Sequence, residues 1–68
     1  MFVYKIDVLE SLKEAGYNHG RLYRERQISQ PSIQKIRRGE VVGINTLHTI
    51  CKLLDMQPGN VIKYVDEE

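Results

Sequence analysis

The sequence predicts an all-α fold: one compact domain, residues 1–68, built as a bundle of five helices. Two observations lead to this prediction. Apolar residues recur with the helical period along most of the chain, and residue types that begin or end helices stand at the borders of these stretches. A single domain is expected because no internal repeat, low-complexity stretch or linker divides the chain.

The predicted helices cover residues 6–15, 18–26, 30–38, 45–55 and 58–65. In the first of them, Ile6, Leu9 and Leu12 fall on one stripe, and Gly16 follows as a left-handed C-cap. Residues 2–6 alternate loosely between apolar and polar types. They fit either a short extended segment or the frayed start of the first helix.

The second and third predicted helices are marked by their caps. Asn18 and Ser29 are the expected N-caps. Pro31 suits a first helical turn because its missing N–H would have no partner there. Gly39 is expected to end the third helix, and Ile28, in the turn between the two helices, is expected to point inward.

The fourth predicted helix has the clearest periodicity, because Leu47, Ile50, Cys51 and Leu54 stand at positions i, i+3, i+4 and i+7. Pro58 is expected to open the fifth helix. That helix would lay three apolar residues against the bundle. These are Val61, Ile62 and Val65.

Composition argues against several classes of protein. The one cysteine, Cys51, cannot form an internal disulfide, and one cysteine with two histidines gives no zinc-binding spacing. No nucleophile beside a base and no enclosed carboxylate pair points to catalysis. No apolar run approaches the ~20 residues of a membrane span, and no signal-peptide pattern follows Met1. We therefore expect a cytoplasmic protein without membrane association, enzymatic activity, metal, cofactor or small-molecule ligand.

The formal net charge of +1 hides an uneven distribution. Residues 19–38 contain six basic residues against one acid, Glu25, which gives a local net charge of +5. The remaining residues contain four lysines against eight acids, a net charge of −4. Such a basic segment is either one solvated face or a surface that contacts DNA phosphates, whose neutralisation releases condensed counterions.

Residues 18–39 encode a helix, a turn of about three residues and a second helix that ends in glycine. This is the pattern of a helix-turn-helix, which places its second helix in the major groove of DNA while the first crosses the backbone. Ile33 and Ile36 would face the core, so the polar side chains of residues 30–38 would face outward. Glutamine can pair with adenine in the major groove and lysine with guanine, so this face is suited to base recognition.

Three segments of the chain carry a family resemblance. Residues 29–39 are SQPSIQKIRRG, residues 45–55 are NTLHTICKLLD and residues 57–62 are QPGNVI. In this order and spacing they resemble the recognition helix, the fourth helix and the start of the fifth helix of the XRE family, the Cro- and cI-type phage repressors and small bacterial regulators. The similarity covers roughly residues 5–65. It implies a five-helix bundle of the lambda-repressor-like type, often a homodimer, that binds a palindromic operator in double-stranded DNA.

By position, the resemblance implies two sets of contacts with DNA. The residues that would face the bases are Gln30, Pro31, Ser32, Gln34 and Lys35. The residues that would contact phosphates are Asn18, His19, Arg21, Ser29, Arg37 and Arg38.

Three residues depart from the family pattern. Tyr23 stands where the family usually has alanine, at the close approach of the second and third helices. Gln27 stands where the family usually has the glycine of the turn, so Gln27 is expected to take a positive φ. Pro31 replaces a side chain that hydrogen-bonds in many phage repressors, and it could contact a thymine methyl group instead.

Three functions fit these observations. The first is a sequence-specific transcription regulator, a repressor that binds DNA as a homodimer, with the fifth helix and residues 2–4 as apolar surfaces for dimerisation. The second is a protein-interaction module, such as an antitoxin or anti-repressor, favoured by Tyr23, Gln27 and the acidic tail of residues 66–68. The third is an architectural or excision factor that bends DNA.

Overall fold

A computed structural model describes residues 1–66 of the chain. Five helices lie between two short strands that pair with each other. In chain order the elements are β1 (Phe2–Tyr4), α1 (Val8–Glu14), α2 (His19–Arg24), α3 (Gln30–Arg37), α4 (Ile44–Leu54), α5 (Pro58–Val61) and β2 (Ile62–Tyr64). Glu67 and Glu68 of the acidic tail lie outside the described residues.

Polar side chains cap the N-termini of the first three helices. The cap is Asp7 in α1, Asn18 in α2 and Ser29 in α3, and each accepts a hydrogen bond from the backbone N–H three residues on, at 3.1, 2.9 and 3.4 Å respectively. These bonds satisfy N–H groups that have no partner within the helix. The N-caps predicted at Asn18 and Ser29 are confirmed.

Ten aliphatic side chains form the core, with at least one from every helix. At its centre, Leu12, Ile33, Ile50 and Val61 have no exposed surface. Ile28, in the turn between α2 and α3, is only 3% exposed, so its predicted inward position is confirmed. No polar or charged residue among residues 1–66 is buried, and hydrophobic packing therefore holds the helices together.

The all-α prediction is wrong at the two ends of the chain. The fifth helix ends at Val61 instead of residue 65, and the residues that follow form β2, which runs antiparallel to β1. The paired residues are Phe2 with Tyr64, Val3 with Lys63 and Tyr4 with Ile62. Of the alternatives for residues 2–6, the extended segment is confirmed and the frayed helix start is wrong. We call β1 and β2 together the terminal ribbon.

A strand forms at residues 62–64 because Ile62 is β-branched and Tyr64 is aromatic, and because β1 offers them backbone partners. Ile62 is half-buried against the core, as predicted, but Val65 is 37% exposed and does not lie against the bundle. The ribbon is attached to the loop after α3 by Tyr4, whose hydroxyl donates to the carbonyl oxygen of Glu40 at 2.8 Å. Burial raises the pKa of this Tyr4 hydroxyl, while a hydrogen bond from the backbone of Val42 opposes the shift.

The end of α2 differs from the predicted one. Arg26 has φ +55° while Gln27 does not have positive φ, so the prediction of a left-handed Gln27 is wrong by one residue. The hydrogen bonds explain the shift. The N–H of Arg26 bonds to the carbonyl of Tyr23 at 3.2 Å, and that of Gln27 bonds to the carbonyl of Leu22 at 3.0 Å. This is a Schellman motif, which requires the left-handed conformation at its first residue outside the helix.

The remaining helix ends lie close to their predicted positions. The first four helices begin and end within two residues of the predicted bounds. Gly16 and Gly39, the predicted left-handed ends of α1 and α3, have φ +97° and +81°.

Replacing Arg26 with glycine is expected to leave the free energy of unfolding unchanged or raise it by up to about 1 kcal/mol, because glycine takes a positive φ without strain. The same replacement at Arg24, in the last turn of α2, is expected to lower it by about 1 kcal/mol, because glycine is a poor helix former. Urea denaturation measures both values. Each variant loses one exposed arginine, so equal destabilisation of the two would contradict the left-handed turn.

Candidate nucleic-acid interface

The orientation of α3 is set by two isoleucines. Ile33 is completely buried and Ile36 is 7% exposed, and both pack in the core. Side chains three and four residues apart share one face of a helix, so burial of this face turns the opposite face to solvent. Gln34 and Lys35 are exposed there, and Gln30 is exposed at the side of the helix next to His19.

The five residues predicted to face DNA bases all lie on α3. Four of them are exposed, and Ser32 is half-buried. The hydroxyl of Ser29 donates to the hydroxyl oxygen of Ser32 at 3.0 Å, and the Ser29 oxygen accepts the Ser32 backbone N–H. The first turn of α3 is therefore held by serine contacts, and the proton of the Ser32 hydroxyl is left to donate.

His19 joins the start of α2 to both ends of α3. Its Nε2 lies 2.8 Å from Oε1 of Gln30, and its Nδ1 lies 3.3 Å from Nη2 of Arg37. An arginine can only donate, so Nδ1 accepts and the Nε2–H donates to Gln30. We call these three residues the His19 bridge. The sequence predicted each of them as a DNA contact but gave no signal that they touch one another, because they are separated along the chain.

The bridge determines which atoms of Gln30 are free. Its carbonyl oxygen is occupied by His19, while its amide N–H₂ has no partner among the described residues. The N–H₂ can donate to acceptors such as purine N7, and the second lone pair of Oε1 can still accept. The structure thus presents Gln30 in one orientation.

Arg21 is engaged within the domain. Its guanidinium lies 4.5 Å from the centre of the Tyr17 ring, donates to the carbonyl of Gly16 at 2.9 Å and pairs with the carboxylate of Glu25 at 2.7 Å. The hydrogen bond with Glu25 raises the pKa of Arg21, and the same contact lowers the pKa of Glu25. Its predicted phosphate contact stays a prediction, and these partners would compete with it.

Arg38 also has an acidic partner. Its Nε donates to a carboxylate oxygen of Glu40, and the two side chains are 59% and 54% exposed. An exposed pair of this kind contributes little to stability. However, it offsets one positive charge at the end of α3, where the resemblance places a phosphate contact.

Two exposed arginines of the basic segment were not in the predicted contact sets. Arg24 and Arg26 are at and just after the end of α2, and neither forms an ion pair within residues 1–66. The charge count of residues 19–38 included them, so a signal existed in the sequence. Because they are unpaired, they add positive potential beside the turn.

Tyr23, which stands where the family usually has alanine, does not fill the space between α2 and α3. It is 59% exposed, and Leu22 provides the buried contact of α2 instead.

Among residues 1–66, no group of three potential ligand residues could hold a metal ion. No described helix combines the length and apolar character needed to cross a membrane.

The family model of the Cro/C1-type HTH DNA-binding domain matches residues 7–67 of the sequence, which is most of the chain. The chain belongs to this family. Membership confirms the resemblance seen in the sequence and makes DNA the partner of this Cro/C1-type domain. No curated protein and no solved structure matches the chain.

Replacing Glu40 with glutamine is expected to raise DNA affinity by up to about fivefold at 0.1 M salt and to steepen the salt dependence by less than about one unit of log–log slope, because Glu40 no longer competes with a phosphate for Arg38. Fluorescence anisotropy with a labelled duplex measures both quantities. The same substitution in an Arg38→Gln background should give a much smaller gain. An equal gain in that background would show that Arg38 is not the residue released.

Proposed function

We propose that this domain is a sequence-specific transcription regulator, a repressor, that binds double-stranded DNA as a homodimer. In this proposal α3 enters the major groove and α2 lies across the sugar–phosphate backbone. The observation that carries the proposal is the orientation of α3, with Ile33 and Ile36 in the core and the side chains of Gln30 and Gln34 in solvent.

The side chains on the exposed face suit base recognition. Gln34 offers a donor and an acceptor on one amide, which matches the N7 and N6 edge of adenine, and Lys35 can donate to the O6 and N7 atoms of guanine. Gln30 is held by His19, so its amide is positioned before DNA binds. A side chain that is already ordered loses less rotational freedom on binding, and this favours discrimination between bases.

The proposed phosphate contacts surround this face. Asn18 and His19 lie at the start of α2, Ser29 lies at the start of α3, and Arg37 and Arg38 lie at its end. Both ring nitrogens of His19 are engaged with Gln30 and Arg37, so its proposed phosphate contact uses the backbone N–H at the start of the helix. Contacts to phosphates fix the register of the protein on the duplex, and base contacts then supply sequence preference. We add Arg24 and Arg26 to the residues proposed to attract the DNA phosphates.

Repression requires only occupancy, because a protein bound over a promoter blocks access to it. A homodimer doubles the number of base pairs read, and its two-fold symmetry corresponds to a palindromic site with half-sites about one helical turn apart. The proposal gives the domain no catalytic role.

Replacing Gln34 with alanine is expected to lower affinity for the preferred site by about 1–3 kcal/mol while leaving affinity for random DNA nearly unchanged, because a bidentate base contact is lost. Replacing Arg38 with alanine is expected to weaken binding to both DNAs about equally and to flatten the salt dependence. Titrations of each variant against both duplexes test the division of roles. Identical behaviour of the two variants on both DNAs would refute it.

Selection of bound duplexes from a random pool, repeated at two salt concentrations, tests the proposed function as a whole. The expected product is a palindrome whose enrichment persists at the higher salt concentration. Enrichment of bent or AT-rich DNA without a palindrome would favour an architectural factor. Failure to retain any DNA, together with a tight and salt-insensitive protein partner, would favour an interaction module.

A further inference from the structure

We propose that two copies of this chain associate through the free edge of β1, by antiparallel pairing of β1 with β1 centred on Val3. The inference rests on the proposed homodimer and names its interface. It arises from the exposed side chains of the terminal ribbon, from the charges on its two edges and from the direction of its backbone groups.

Exposed apolar side chains are concentrated on the ribbon. Of six large hydrophobic residues with exposed side chains among residues 1–66, four lie on or beside the paired strands. Phe2 and Tyr64 are 56% and 63% exposed, and their rings stack edge to face with centroids 5.7 Å apart. Met1 and Val65 extend the patch, because the backbone N–H of Val65 donates to the carbonyl of Met1 at 2.7 Å. Grouped exposure of this kind marks an interaction surface more often than scattered residues do.

The two edges of the ribbon differ in charge. β2 carries Lys63 at its middle position, and a lysine in an edge strand discourages pairing with another strand. β1, residues 2–4, carries no charged side chain. Pairing of β2 with a second β2 would also place two lysines opposite each other at the centre, whereas pairing of β1 with β1 brings the uncharged residues 2–4 of each copy together and places Met1 opposite Lys5 only beyond the strand ends.

The hydrogen bonds of the ribbon fix which residues can pair with a second copy. Met1 and Val65 exchange two backbone bonds, and Lys5 donates to the carbonyl of Val61. In an antiparallel ladder alternate residues bond to the neighbouring strand. Phe2 and Tyr4 therefore direct their N–H and C=O groups away from β2, toward the free edge.

A two-fold axis at Val3 gives every outward N–H and C=O group of Phe2 and Tyr4 a hydrogen-bond partner. Phe2 of each copy then lies opposite Tyr4 of the other, and the two pairs form four backbone hydrogen bonds. The result is a four-stranded sheet. Tyr4 packs against the core of its own copy, so the pairing places the exposed ring of Phe2 beside the part of the second ribbon that is backed by a core.

The expected contact is weak in free protein. Half-exposed aromatic side chains leave roughly 100 Å² each uncovered, so Phe2 and Tyr64 would bury about 400 Å² over both copies. A stable interface buries about 1,200 Å² or more. Binding of both copies to adjacent half-sites raises their effective concentration to about the millimolar range, so the same contact would add cooperativity on DNA.

Cysteine cross-linking tests the pairing directly. Facing residues at a non-hydrogen-bonded position have Cα atoms about 4.5 Å apart, within the range of about 4.4–6.8 Å that a disulfide spans. In a Cys51→Ser background, Val3→Cys should form a disulfide-linked dimer under mild oxidation, with at least tenfold more product than Lys63→Cys. Lys63 is the matched control because it pairs with Val3 at the centre of the other strand.

The experiment is run on free protein and on a duplex with two half-sites. More cross-linking of Lys63→Cys than of Val3→Cys, or no cross-linking of Val3→Cys in either sample, would overturn the proposal. DNA affinity of the reduced Val3→Cys protein is measured alongside. If the unsubstituted protein did not bind DNA, the proposed function would be refuted. The cross-link in free protein would still report the interface.

A second pair of variants distinguishes the ribbon from the apolar groove on α4. Phe2→Pro removes an outward N–H and an exposed ring, and it should lower cooperativity on paired half-sites at least fivefold while leaving binding to one half-site unchanged. Ile44 is 76% exposed at the rim of a groove of about 590 Å³ lined by Leu47, Cys51 and Met56. Ile44→Lys should leave cooperativity unchanged. The reverse pattern would assign the interface to the groove.

Discussion

The burial of Ile33 and Ile36 is the constraint on which the surface proposed to face DNA depends. A helix of eight residues has few contacts with which to fix its rotation, and here two fully or nearly buried side chains fix it. Any rotation that turned Gln34 inward would expose an isoleucine, at about 1.5–3 kcal/mol for each side chain. The hydrophobic core therefore sets the direction in which the polar side chains point, and stability and recognition are properties of one helix.

The features that the sequence predicted well depend on neighbouring residues. Asn18 and Ser29 are caps because each bonds to an N–H three residues away, and the helical stripes follow from spacing alone. The strand at residues 62–64 could not be predicted in this way, because its partner lies at the other end of the chain. The His19 bridge was missed for the same reason. The left-handed residue at the end of α2 was misplaced because an arginine carries no sign of the turn that glycine usually marks.

The charge of the interface illustrates a related limit. A count along residues 19–38 gives a net charge of +5 but treats every arginine as equally available. In the folded domain, Arg21 is held by Tyr17 and Glu25, and Arg38 is paired with Glu40, which lies just outside the counted segment. The positive charge of this segment is therefore unevenly available: Arg21 and Arg38 are in ion pairs, whereas Arg24, Arg26 and Arg37 form none within residues 1–66.

The terminal ribbon also has a consequence for the order in which the domain assembles and opens. It joins residues 64 positions apart, and the ammonium group of Met1 itself donates to the carbonyl of Val65 at 2.6 Å. Contacts across so long a loop are entropically costly until other parts of the chain have come together. We expect the helices to pack first and β1 and β2 to pair afterwards. Warming should therefore separate the two strands from each other in one step while the five helices stay packed.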